Sequence, residues 1–282
     1  MKGPVYNHFD KILSDYDFYD DYKQGCISQK DFIKKLEKHR EEFKDRGINE
    51  WIFSHFKRLP ASDETATRKA IEVLYENNII SSKKYNQKKY KEFKNKMESK
   101  FQHNGFSTYI FPEEARLAYA ISDIIKPETV FVAGSYYGYW ASWTFPGVKE
   151  TNGKVLLSDI DSEVTKQANT NIKNLGFEKT ARAISRDAEK ILKSLNLEID
   201  LFLLDAYGDI NDPRPQYRGK AIYEPLFKAA LPRLQSESII LVHNVVEHNS
   251  KSLKKFFQLV DKHCSVQLEI NTTSGVGIYV KD

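Results

Sequence analysis

The sequence has few cysteines and no long apolar run. Only Cys26 and Cys264 occur among 282 residues, far apart and without metal-site spacing, which argues against a disulfide framework and favours a reducing compartment. The longest aliphatic run, Ile239 to Val242, is far too short to span a bilayer, and the N-terminus lacks the apolar core of a signal peptide. We therefore expect a cytoplasmic protein that has no membrane partner.

An excess of charge of one sign is also missing. The formal net charge is only +4, so the composition does not require a polyanionic partner. Eight lysines nevertheless fall within residues 83–100, interleaved with Tyr85, Tyr90 and Phe93. Such a helix could bind RNA, with lysines that neutralise phosphates and aromatic rings that stack on bases. We favour a solvated amphipathic helix with its aromatic rings in the core, because charge runs on helices are usually exposed faces, and we expect no nucleic-acid partner.

Residues 1–105 show no strand alternation. Apolar positions recur there at three- and four-residue steps, as at Phe32 and Leu36 or at Ile71 and Leu74. This periodicity predicts a helical accessory region over residues 1–105. It could serve as a lid over a site or as the dimerisation element of a homodimer.

Residues 106–282 alternate between strand-like and helix-like segments. Pro112, followed by Glu113 and Glu114, suits the first turn of a helix. The predicted strands are 129–133, 154–160, 181–185, 199–205, 238–243, 266–271 and 276–281. Helix-length segments separate the first five, whereas only four residues join the last two. This order predicts an α/β fold with a seven-stranded, mostly parallel sheet that ends in an antiparallel hairpin.

A glycine-rich turn follows the first strand, between Val130 and Trp140. Gly134 and Gly138 allow the backbone to approach a ligand closely, and a strand, a glycine turn and a helix in this order bind nucleotide-like ligands. Asp159 ends the next strand, where an acid can bind a ribose diol. It could instead cap the following helix, a role that Asp161 or Ser162 would serve equally well.

Five motifs in this order resemble those of class I S-adenosylmethionine-dependent methyltransferases, closest to small-molecule O-methyltransferases of the catechol and caffeoyl-CoA type. The resemblance covers roughly residues 106–282 and implies a Rossmann-like domain that binds S-adenosylmethionine. The residues implied for the cofactor are the loop residues Gly134, Ser135, Tyr136 and Gly138, then Asp159 and Ile160 near the ribose, Asp187 and Ala188 beside the adenine, and Asp205 facing the sulfonium.

Two departures from the family pattern concern chemistry. Val132 stands two residues before the first glycine, where the family has an acid near the amino group of the cofactor. The metal-dependent members use Asp, Asp and Asn with a lysine shortly after the first Asp. This chain has Asp205, His243 and Asn244, with Gly208 in place of that lysine. A divalent metal on these three residues stays open, and the imidazole would favour a transition metal over magnesium.

The candidate catalytic residues are His243, Asp205 and Tyr207. A near-neutral His243 could act as general base on an acceptor hydroxyl, or it could be a buried histidine with ordinary hydrogen bonds. Aromatic and amide side chains near the expected site are candidates for substrate binding, although some could simply pack the turn: Tyr137, Tyr139, Tyr207 and Asn244. The long segment 207–219 is predicted to form part of the acceptor pocket.

Three functions fit these observations. The favoured one is methyl transfer from S-adenosylmethionine to a hydroxyl or similar heteroatom of a small molecule. The second is cleavage or cyclisation of the cofactor with release of methylthioadenosine, because Val132 leaves the cofactor amino group without its usual acid. The third is RNA modification, in which the lysine-rich stretch 83–100 binds the RNA.

Overall fold

The computed structural model describes residues 3–246 and 250–282. The strands are β1 (Thr129–Ala133), β2 (Lys154–Asp159), β3 (Ala181–Ser185), β4 (Ile199–Leu204), β5 (Leu234–His243), β6 (Cys264–Ile270) and β7 (Val276–Lys281). The first seven helices are α1 (Val5–Leu13), α2 (Asp17–Lys23), α3 (Gln29–Lys38), α4 (Arg40–Asp45), α5 (Glu50–Arg58), α6 (Asp63–Glu76) and α7 (Gln87–Lys100). The others are α8 (Pro112–Ile125), α9 (Tyr139–Ser142), α10 (Phe145–Glu150), α11 (Ser162–Asn174), α12 (Ala188–Ser194), α13 (Tyr223–Ala230) and α14 (Ser250–His263).

The seven strands form one sheet in the order β3-β2-β1-β4-β5-β7-β6. Strands β1 to β5 pair in parallel, and β7 runs antiparallel to both β5 and β6. The predicted α/β class, the mostly parallel sheet and the C-terminal hairpin are confirmed. Because β1, β2, β4 and β5 are parallel, their carboxyl ends meet at one edge of the sheet, where ligands bind in this kind of fold.

Side chains alternate between the two faces of the sheet and feed two separate cores. In β1, Val130 and Val132 join the core beneath α8 to α11, whereas Phe131 and Ala133 join the core beneath α12 to α14. This period of two, with both faces covered by helices, is what a buried parallel strand requires. The apolar character of β1 therefore follows from burial on both sides.

The N-terminal helices divide between two cores. Helices α1 to α5 enclose their own cluster around Phe9, Phe32 and Phe56, which Phe111 joins from the segment before α8. Helices α6 and α7 instead share the core of the sheet, and α6 packs against α8. The division at residue 105 stays a prediction, and two helices before it belong to the core of the sheet.

The lysine-rich helix α7 turns its aromatic side to the interior. Tyr90, Phe93 and Met97 are buried, whereas Lys88, Lys91 and other lysines of the helix are exposed. The buried rings are not available to stack on bases, which agrees with the amphipathic interpretation of this stretch. In the described part of the chain, no helix is long and apolar enough to cross a membrane.

Candidate active site

The glycine turn after β1 is closed by backbone hydrogen bonds. The N–H groups of Gly134 and Ser135 both donate to Ser158 O at 3.0 Å, which joins the turn to the end of β2. Gly134 has a φ of +79°, and a Cβ there would lie 2.3 Å from Ala206 Cα, so only glycine fits between the ends of β1 and β4. The turn therefore holds a fixed shape before any ligand binds.

Asp159 ends β2 beside this turn. Its carboxylate accepts hydrogen bonds from the Tyr136 N–H at 3.0 Å and the Asp161 N–H at 3.2 Å. Burial raises the pKa of Asp159 above its usual value. Asp161, not Asp159, caps helix α11 by accepting the N–H groups of Glu163 and Val164. Asp159 is therefore not needed to cap α11, and its role in binding the ribose stays a prediction.

A cavity of about 910 Å³ opens at this edge of the sheet. This volume lies within the roughly 300–1,000 Å³ that small-molecule sites occupy. The predicted site residues that line it are Gly134, Ser135, Tyr136, Tyr139, Asp159, Asp205, Tyr207, His243 and Asn244. The fold therefore brings together residues that lie up to about a hundred positions apart in the chain.

Other predicted residues lie outside the lining of the cavity. Tyr137 is buried against Phe106, with ring centroids 5.0 Å apart, so it packs the turn, and its role in substrate binding stays a prediction. Gly138 is the N-cap residue of α9, with a φ of +82°, and Ile160 is 78% exposed. Asp187 accepts the Glu189 N–H at 2.8 Å and so caps α12, with Ala188 buried behind it.

A chain of buried charges runs from α8 into the cavity. The Nε2 atom of His243 lies 3.0 Å from Glu114 Oε2, and its Nδ1 atom lies 3.2 Å from Asp205 Oδ1. The Nδ1 contact is an ion-pair distance without the alignment of a hydrogen bond. Lys220 Nζ completes the chain at 2.8 Å from the same oxygen of Asp205. Glu114 and Lys220 were not predicted as site residues.

His243 lies between two carboxylates, which favours the charged form of its ring. Burial disfavours its charged form, but Asp205 and Glu114 outweigh this effect and raise the pKa of His243 to about 10. Burial likewise opposes ionisation of Asp205, yet Lys220 and His243 lower the pKa of Asp205 to about 2. A pKa raised in this way makes His243 a poor proton acceptor at neutral pH, and its catalytic role stays a prediction.

The metal alternative fits this donor set poorly. A metal-bound histidine must offer a lone pair, whereas both ring nitrogens of His243 face carboxylates, which favour a protonated ring. Asp205 already has two cations beside it. Across residues 3–246 and 250–282, no group of three or more His, Cys, Asp or Glu side chains is arranged to hold a metal ion. Asp205, His243 and Asn244 line one cavity but do not form a ligand set.

The segment 207–219 reaches the cavity through its first residue. Gly208 and Gly219 pair through two backbone hydrogen bonds of 3.0 and 3.1 Å, which closes the intervening residues into a separate loop. Within that loop, the Tyr217 hydroxyl donates to Glu189 at 2.6 Å, beside α12. Only Tyr207 and the adjoining Lys220 reach the cavity lining. Tyr207 thus lies at the cavity, and the prediction that the segment forms part of an acceptor pocket stays a prediction.

The N-terminal region also reaches the site. Trp51 and His55 of α5 line the cavity, and the Trp51 ring centroid lies 5.3 Å from that of Tyr109, which also lines it. The same helix holds the loop between β6 and β7, because Arg58 donates to the carbonyl oxygens of Thr272 and Thr273 at 3.1 Å or less. Nothing in the local sequence of α5 indicated either contact.

Comparison with known proteins agrees with this architecture. Residues 131–245 match the family model described as a methyltransferase domain. No curated protein matches the chain. Among solved structures, an O-methyltransferase from Bacillus cereus in complex with S-adenosylhomocysteine is 14% identical, with a TM-score of 0.51, over 78% of this chain and 100% of that one.

Two further structures are similar to the same extent. A protein described as a caffeoyl-CoA O-methyltransferase from Staphylococcus aureus is 14% identical, with a TM-score of 0.52, over 76% of this chain and 99% of the other. An O-methyltransferase of tomaymycin synthesis from Streptomyces achromogenes, solved with S-adenosylmethionine, is 15% identical, with a TM-score of 0.51, over 61% and 81%. At such identities the structural likeness establishes the fold.

The domain match and the fold together confirm the predicted resemblance. A methyltransferase domain over residues 131–245 and the shared fold agree with the class I S-adenosylmethionine-dependent methyltransferases that the motifs resemble. The site agrees with S-adenosylmethionine as the cofactor: a glycine turn, a half-buried acid at the second strand end and an acid of lowered pKa at the fourth surround one cavity.

Proposed function

We propose that this protein transfers the methyl group of S-adenosylmethionine to a hydroxyl or similar heteroatom of a small molecule bound in the same cavity. The observation that carries the proposal is the shared cavity. Asp159 and Asp205 both line it, and it extends beyond them to Trp51 and Tyr109. The volume of about 910 Å³ is near the upper end for small-molecule sites, which favours room for a second substrate.

The residues of the chain mainly bind and orient. The cofactor supplies an activated methyl group on a sulfonium, so the protein has to align an acceptor with it. The Asp159 carboxylate would bind the ribose hydroxyls. The Asp205 carboxylate, held ionised by Lys220 and His243, would attract the sulfonium cation and accept a hydrogen bond from the acceptor. Tyr139 and Tyr207 would flank the acceptor, since both line the cavity.

The test is transfer of a labelled methyl group. The protein is incubated with S-adenosylmethionine labelled in the methyl group and a panel of phenols, aliphatic alcohols, thiols and amines. We expect labelled product from at least one class, and loss of it in Asp159→Asn. Tight cofactor binding without transfer to any member of the panel would count heavily against the proposal.

A second candidate is cleavage or cyclisation of the cofactor without an acceptor. Val132 favours it, because this apolar residue lies at the cavity wall where the family has an acid. The protein is incubated with S-adenosylmethionine alone and methylthioadenosine is measured. Release at a rate well above spontaneous breakdown would favour this candidate over methyl transfer, and its absence would remove it.

A further inference from the structure

Asp205 is surrounded by cations that belong to the protein itself. Lys220 Nζ lies 2.8 Å from Asp205 Oδ1, and its other two donor contacts are the Tyr223 hydroxyl at 2.7 Å and the Ala206 carbonyl at 3.2 Å. An ammonium has three N–H donors, so these contacts use all of them. Lys220 is 7% exposed, and its charge is therefore fixed in place.

His243 provides the second cation. Each ring nitrogen lies within 3.2 Å of a carboxylate, Glu114 on one side and Asp205 on the other. Two ionised carboxylates offer no proton to the ring and attract positive charge, so their positions favour the imidazolium form. The buried site thus contains two carboxylates and two cations, and its charges balance without an added ion.

The position of Lys220 depends on the loop that precedes it. A side chain at Gly208 is excluded, because a Cβ there would lie 1.7 Å from Tyr217 O. The pairing of Gly208 with Gly219 returns the chain to the end of β4, which places residue 220 beside Asp205. Tyr223 then donates to His243 O at 2.9 Å and ties the lysine to the end of β5. Lys220 thereby places an ammonium beside Asp205, whereas position 208 has no room for a side chain that could do so.

We propose that Lys220, assisted by His243, takes the place of a divalent ion at Asp205, so that this methyltransferase site works without a metal. Lys220 is in this sense a positioning residue that sets the orientation and charge of Asp205. A hard divalent ion would need the carboxylate at about 2.0–2.6 Å, the approach that the ammonium now blocks. The inference rests on the proposed function only in taking Asp205 as a residue that faces the acceptor.

The experiment measures binding and needs no acceptor. Mn²⁺ is titrated calorimetrically into the full-length protein, and S-adenosylhomocysteine is titrated with and without EDTA. For the wild type we expect no saturable Mn²⁺ binding up to about 1 mM and a Kd for S-adenosylhomocysteine that EDTA changes less than about twofold. Saturable Mn²⁺ binding near 0.1 mM or tighter, or loss of about tenfold in cofactor affinity with EDTA, would overturn the proposal.

Variants separate the ammonium from a purely structural role. Lys220→Ala vacates the position, so we expect it to bind Mn²⁺ at least about tenfold tighter than the wild type, whereas Lys220→Arg keeps the charge and binds none. Lys228→Met, at an exposed lysine of α13, is the matched control and should behave as wild type. A folded Lys220→Ala that gains no Mn²⁺ affinity would contradict the proposal.

The design stays decisive if Lys220→Ala does not fold. The wild type and Lys220→Arg then carry the test, since Mn²⁺ binding by either one opposes the inference. Failure of the proposed function has a different signature. In that case S-adenosylhomocysteine does not bind, with or without Mn²⁺. If the present inference fails instead, either Mn²⁺ binds to the wild type or the affinity for S-adenosylhomocysteine falls when EDTA removes the metal.

Discussion

His243 Nε2 lies 3.0 Å from Glu114 Oε2, although the two residues are 129 positions apart. Glu114 also accepts hydrogen bonds from Thr272 Oγ1 at 2.7 Å and from the Ser274 N–H at 2.8 Å. The contact thus joins the start of α8, the end of β5 and the loop between β6 and β7. Burial would raise the pKa of Glu114, but the imidazolium and these donors hold it below the usual value.

The first prediction concerns this ion pair. Glu114→Gln removes the charge opposite His243 and should lower the free energy of unfolding at neutral pH by about 3 kcal/mol or more, because it leaves a buried cation short of a partner. Denaturant titration measures the loss. Glu113→Gln is the matched control, since Glu113 is also buried but hydrogen-bonds Thr273 instead of His243. Equal losses in both variants would speak against a special role for the pair.

The second prediction concerns the pH dependence of stability through Glu113. Burial, with Glu114 nearby, raises the pKa of Glu113 from 4.5 to about 7. The folded state therefore favours the protonated acid, whose stabilisation is complete below pH 4.5 and is lost as pH rises toward 7. Glu113→Gln mimics the protonated acid, so its stability relative to the wild type should rise over this range by about 3 kcal/mol. A stability difference that stays constant with pH would contradict the raised pKa.

The third prediction concerns the charge of His243. With a pKa raised to about 10, both ring nitrogens should remain protonated between about pH 5 and 8. Nitrogen-15 NMR of histidine-labelled protein should show one imidazolium signal pair that does not titrate in this range and that disappears in His243→Asn. A midpoint near the ordinary histidine value would restore His243 as a candidate general base.

The sheet was predictable because burial on both faces leaves a continuous apolar signature. The predicted bounds of β1, β3 and β7 agree with the structure. Strand β5 begins at Leu234, four residues earlier than predicted, because exposed polar residues such as Gln235 and Glu237 start it. Local periodicity cannot distinguish such a polar strand end from a loop.

The site was predictable only where strand ends form it. Gly134, Asp159, Asp205 and His243 each follow or end a parallel strand, so the topology alone brings them together. Lys220 reaches the site through a loop closed by two glycines, and Glu114 arrives from a helix start. An acid in the first turn of a helix, such as Glu114, can be explained in more than one way. An acid in the first turn suits the helix dipole, and nothing in the sequence revealed its distant histidine.

The final prediction separates two aspartates that lie two positions apart. Asp159→Asn removes the charge at the end of β2 and should weaken S-adenosylhomocysteine binding by about tenfold or more, as expected when a charged hydrogen-bonding partner is lost. Asp161→Asn keeps a side chain that can cap α11, so its effect on binding should be less than about twofold. Calorimetry with both purified variants, checked for equal folding by circular dichroism, measures the difference. If the two substitutions weakened binding equally, Asp159 would have no direct role in holding the ribose, because a general disturbance of this turn would explain both losses.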